Sequence, residues 1–164
     1  MRKLFIAMLL ACGGTVSSHA QEVYSEVLQM AKEKIESPST PQIVKDINQF
    51  KVNALNYLGM KTREVMPDAP VSVLDDEAYA LHNFIGSYLQ AIVATKDQPK
   101  AFQNKVMQLF VEASIACPLF NDIEKETTLY YFNNSESLTR FSLDTDWVKA
   151  FQRITESLKE LQQQ

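Results

Sequence analysis

Apolar residues recur at three-and-four spacing along almost the whole chain after residue 21, the period of helices that bury one face. Tyr24, Leu28, Ala31 and Ile35 form one stripe, with Lys32, Glu33 and Lys34 largely off it, so a helix is expected from about Glu22 to Glu36. Ser37-Pro38-Ser39-Thr40-Pro41 breaks that pattern. Thr40 is placed to cap the next helix, and Pro41 sits in its first turn, where a missing N–H costs nothing. The second stripe is Ile43, Ile47, Phe50, Ala54 and Tyr57, reaching about Met66 before Pro67 and Pro70.

A third helix is expected from Ser72, with Asp75 and Asp76 in its first turns, where negative charge suits the helix dipole. Its stripe is Leu74, Ala78, Leu81, Ile85, Tyr88 and Ile92, widened by Phe84, Leu89 and Val93, which implies burial on more than one side. The fourth starts near Asp97 and carries Phe102, Val106, Leu109, Phe110, Ala113 and Cys117, with Pro118 as its stop. The last starts at Asp144 or Thr145 and presents Trp147, Phe151, Ile154, Leu158 and Leu161 on one face.

Glycine is scarce, with only Gly59 and Gly86 beyond residue 21, and the prolines fall between the stripes. The expected fold class is therefore all-α, an antiparallel helical bundle of four to six helices, with a small β-hairpin near 129–143 as an addition. No repeat of 30–45 residues suggests a solenoid.

The chain opens differently. Arg2 and Lys3 precede the apolar run Leu4 to Ala11, and Ser18-His19-Ala20 places small residues where a signal peptidase reads. The expectation is a signal peptide over 1–20 and a single helical domain over 21–164. Leu9-Leu10-Ala11-Cys12 resembles a lipobox, which offers a second route: a lipid on Cys12 anchoring the protein in the envelope. Both routes mean export, to the periplasm or beyond the cell. Of the 164 residues, 144 remain after such a leader, enough for one ordinary domain. Loss of Arg2 and Lys3 leaves 14 basic against 20 acidic residues, a charge of −6. That sign repels nucleic acid and anionic lipid, so no nucleic-acid partner is expected, and membrane association only through a lipid on Cys12. With Cys12 in the leader, Cys117 has no cysteine to pair with inside the fold.

Candidate chemistry is sparse. His82 is the only histidine after the leader, seven residues from Asp75 and three from Tyr79 on the same helix. Two more ligands would be needed for a metal, so neither a metal nor a cofactor is expected. Cys117 and His82 supply one thiol and one imidazole, the minimum for a small cysteine hydrolase. Yet a cysteine at the end of a helix meets the dipole that raises its pKa, and small buried cysteines are ordinary core residues. Asp144-Thr145-Asp146 begins like a calcium loop but lacks its glycine and final acid; a helix cap with first-turn acids explains it.

The stretch "LYYFNNSESLTRFSLDTDW", residues 129–147, holds five aromatics, two asparagines, one arginine and two aspartates around a threonine. Two readings compete. It can be a connector that packs down: a short helix from Asn121 carrying Ile123, Thr127, Tyr130 and Tyr131, then an extended segment, or a hairpin of 129–132 against 138–143. In either form Trp147 is expected to be buried and to anchor the last helix. Alternatively Tyr130, Tyr131, Arg140, Phe141 and Trp147 line an aromatic groove for a carbohydrate or peptide.

"NNSESLTRFSLDTDWVKAF", with the leader and the helical body, resembles small exported all-helical proteins of unknown function from Bacteroidota-like bacteria. That resemblance implies export and a helical fold, and brings no activity or functional residues. The expected function is a non-enzymatic binding protein of the bacterial cell envelope, with an unknown protein or glycan partner.

Overall fold

The computed structural model describes residues 22–122, 129–134 and 137–163, with side chains over 22–122 and 140–161. The expected leader lies outside the described residues. Five helices lie among them: α1 (Glu22–Glu36), α2 (Gln42–Val65), α3 (Ser72–Thr95), α4 (Lys100–Ile115) and α5 (Trp147–Gln163). Between α4 and α5 run strands β1 (Leu129–Asn134) and β2 (Ser137–Ser142). The fold is all-α, as the periodicity implied. No helix among the described residues is long and apolar enough to cross a membrane.

Proline sets two of the helix starts. Pro41 (ψ 147°) and Pro99 (ψ 142°) hold the chain extended just before α2 and α4. The Pro41 carbonyl accepts from the amides of Val44 and Lys45 at 3.0 and 3.1 Å; that of Pro99 accepts from Phe102 and Gln103 at 2.9 and 3.1 Å. The expected Thr40 cap does not form, because Pro41 itself takes the capping position. The fourth helix begins after Pro99 rather than at Asp97. Gln103 reaches back from its first turn and donates to the carbonyls of Gln98 and Lys96 at 2.7 and 3.1 Å. It also ends earlier than its stripe implied, so Cys117 lies beyond the helix.

The short helix expected from Asn121 is not what residues 129–134 adopt. They form an antiparallel hairpin with 137–142, in which Tyr130 opposes Phe141 and Tyr131 opposes Arg140. Tyr, Phe and Thr fit a pleated surface better than a helix interior, and here that preference prevails. Ile123 and Thr127 lie outside the described residues.

Packing follows most of each stripe, although Ile43 and Phe102, in the first turns of α2 and α4, stay exposed. Tyr24, near the start of α1, donates its hydroxyl to the Leu55 carbonyl in the second half of α2 at 2.7 Å, so the two helices run antiparallel. Its amide donates to Asp75 Oδ1 at 2.8 Å, which ties α1 to the first turn of α3. Asp75 thus serves the start of another helix. The centre is aromatic: Phe50 from α2, Phe84 and Tyr88 from α3, Phe110 from α4, Phe141 from β2 and Trp147 from α5, each 1% exposed or less. Their neighbouring ring centroids lie 5.3–5.9 Å apart, mostly edge-to-face. Such pairs add about 0.5–1.5 kcal/mol each beyond the area they bury. The widened face of α3 is only partly used: Phe84 is buried, but Val93 is 66% exposed.

Candidate functional site

The chain joining β2 to α5 runs between the buried Phe141 and Trp147 and is itself largely buried, so its polar groups need partners inside. Ser142, Asp144, Thr145 and Asp146 are all buried. Asp144 accepts three backbone amides from the loop after α4: Leu119 at 3.0 Å, Phe120 at 2.8 Å and Asp122 at 2.9 Å. That loop turns at Asn121, whose φ of 52° lies in the left-handed region that asparagine tolerates better than most residues. Thr145 donates to the Ser142 carbonyl at 2.8 Å and lies 3.1 Å from the Ser114 hydroxyl, which accepts the Ser142 amide at 2.9 Å. The Asp146 amide donates to the Cys117 carbonyl at 2.7 Å.

The cap of α5 is Asp146, not Asp144 or Thr145. Its Oδ1 accepts the Lys149 amide at 2.8 Å and its carbonyl accepts the Ala150 amide at 2.9 Å, the pattern of an N-cap. A second carboxylate arrives from a distant element. Glu77 of α3, only 5% exposed, accepts the Trp147 amide on Oε2 at 2.6 Å. Burial pushes its carboxyl up to about 7, with Asp146 adding to the rise and the amides of Trp147 and Val148 opposing it.

Around these groups lies a groove of about 400 Å³, open to solvent and lined by Val73, Asp76, Glu77, Asp146, Val148, Lys149 and Gln152. Lys149 pairs with Asp146 at 2.7 Å, but its side chain is 71% exposed, and such pairs contribute little to stability. The groove holds exposed Asp76, buried Asp146 paired with the exposed Lys149 ammonium, and buried Glu77, whose carboxyl is held well above the usual carboxylate range.

The residues singled out from the sequence are distributed otherwise. Phe141 and Trp147 stand together, but inside the core, so neither presents a ring to solvent. Arg140, which precedes Phe141 in β2, is half-buried. Tyr130 and Tyr131 are placed by their backbone pairing alone, and their side chains lie outside the described residues. Cys117 and His82 form no hydrogen-bonded dyad. Burial raises the Cys117 thiol away from the thiolate, and the charged groups around it are Arg153, Asp146 and Lys149. Burial and then Lys51 lower the His82 imidazole, and Glu26 opposes them. Among the described residues no three His, Cys, Asp or Glu side chains gather as metal ligands.

Sequence reasoning missed Glu77. Its neighbours Asp75 and Asp76 read as a first-turn acidic cluster, and the available signal was an acid directly beside Ala78 on the apolar stripe. No family model, no curated protein and no solved structure matches this chain.

Proposed function

We propose that the chain is an exported, non-enzymatic binding protein of the bacterial cell envelope, with the groove at the start of α5 as its contact surface. The supporting observation is where its polar chemistry meets water. Asp144, Thr145, Ser114 and Ser142 are engaged in internal bonds, whereas Asp76 and Lys149 line an open groove backed by Glu77 and Asp146. With Asp146 paired to Lys149, the exposed Asp76 leaves the groove with surplus negative charge, which favours a partner that brings positive charge. The partner chemistry is a protein segment presenting Lys or Arg. Export rests on the basic start, the apolar run and the small residues Ser18 and Ala20.

Chemical-shift mapping tests the groove, with a short Lys/Arg-rich peptide as probe and a neutral oligosaccharide as comparator. Salt-sensitive shifts confined to 73–77 and 146–152, weakened in Asp76→Asn, are expected from the peptide. Shifts elsewhere, none at all, or a response to the sugar alone would contradict this choice of surface or partner. Export is tested separately by the mass of the chain recovered from a bacterial envelope fraction. It should begin at Gln21 or at a lipidated Cys12; a full-length chain in the cytoplasm would contradict it.

A further inference from the structure

Glu77 occupies an unusual place for a carboxylate. It belongs to the second turn of α3, is 5% exposed, and meets α5 at that helix's first amide, Trp147 N, 2.6 Å away. The groups around it come from three elements. Asp146 reaches the same groove from the linker, Lys149 from α5, and Asp76 from α3 itself. On the α1 side, Asp75 is engaged by the Tyr24 amide. The ammonium of Lys149 is held at 2.7 Å by Asp146, so it reaches Glu77 as a more distant charge.

The two protonation states of this carboxyl therefore differ in what they do to α5. Protonated, it keeps a carbonyl-type oxygen for the Trp147 amide and carries no charge into the buried site. Ionised, it accepts the same amide more strongly, but it is stripped of water and faces the Asp146 carboxylate.

We propose that Glu77 is a proton-dependent latch between α3 and α5, so that ionisation of its carboxyl loosens the docking of the first turn of α5 and of Trp147. The latch does not depend on whether the groove binds a partner. Its carboxyl is raised from 4.5 to about 7 in the fold, chiefly by burial. A group raised in this way favours the folded state fully below its unfolded pKa, and that advantage is lost as pH climbs through the folded value. Stability should then fall with rising pH across the window between the two. His82 works in the opposite sense. Its imidazole is lowered by burial and Lys51, so its contribution improves as pH rises.

The test is urea unfolding of the full chain and of Glu77→Gln, from about pH 5 to about pH 8, followed by the emission of Trp147. The natural chain is expected to lose up to roughly a hundredfold in its folding constant across that range. The glutamine variant keeps the acceptor and cannot ionise, so its stability should stay level or rise slightly. An equal fall in the variant, or none in the natural chain, overturns the latch. Should the variant not fold, carbon-detected NMR of the Glu77 carboxyl in the natural chain decides. A midpoint near 7 that drops in Asp146→Asn supports the proposal, and a midpoint at the ordinary carboxylate value overturns it.

Discussion

Asp144 is the side chain on which the turn into α5 most depends. Three amides of the 119–122 loop donate to one carboxylate that is itself 3% exposed. Asp144→Ala strands those donors together, and a buried unsatisfied group costs about 1–3 kcal/mol. Because the loop can partly open to water, urea unfolding should report a loss of about 3 kcal/mol, the single-group upper figure, rather than the sum. Lys149→Ala is the contrasting case: its pair with Asp146 is exposed to solvent, so its loss should hardly move the urea midpoint. The sequence pattern points to Asp144 or Thr145 as the cap of the last helix, whereas Asp146 caps it and Asp144 holds the 119–122 loop. Its partners lie 22 to 25 positions earlier in the chain, and local patterns carry no record of a carboxylate meeting a remote loop. Asp146 could be read more nearly, because a cap and the amide it serves are three residues apart.

At the scale of elements, the two glycines of the helical body differ in a testable way. Gly86, in α3, has nothing within 4 Å of where a methyl group would stand. Alanine there gains helix propensity without a clash, so Gly86→Ala should stabilise by about 0.5–1 kcal/mol, read as a raised urea midpoint. Gly59, in α2, would place its new methyl 2.7 Å from the Tyr24 hydroxyl. That hydroxyl is held by the Leu55 carbonyl, so the propensity gain is offset and Gly59→Ala should be neutral or destabilising. Combined with Tyr24→Phe, which removes the obstructing oxygen, the same alanine should become stabilising. Stabilisation by Gly59→Ala alone would contradict the close approach of α1 to α2. The helices were legible because their period is local and repeats over four turns or more. The hairpin was not separable from a short helix, since Leu129-Tyr130-Tyr131-Phe132 is apolar without a period. The start of α4 shifted because Pro99, not Asp97, controls the backbone there.

Over the whole molecule, the fold class and the burial of Trp147 were the parts the sequence carried best. Stripes on successive helices joined by short connections leave few alternatives to a bundle. The groove beside α5 was not legible, because Glu77 and Trp147 are 70 residues apart and only packing brings them together. Trp147 is the central post of the fold. It is fully buried against Phe50 and Phe84, and its amide is latched by Glu77. Its indole Nε1 has no hydrogen-bond partner among the described residues, so packing rather than polar bonding holds the ring. Truncation of such a residue costs about 3–5 kcal/mol, a large share of the roughly 5–15 kcal/mol typical of a domain. Trp147→Ala should accordingly lower the melting temperature sharply. As the chain's single tryptophan, Trp147 also reports on itself without interference. The most direct measurement is its native-state emission with acrylamide quenching. Blue-shifted emission that resists the quencher and turns red on unfolding is the predicted result. Red, readily quenched emission from the folded chain would contradict the buried post and return the ring to the surface.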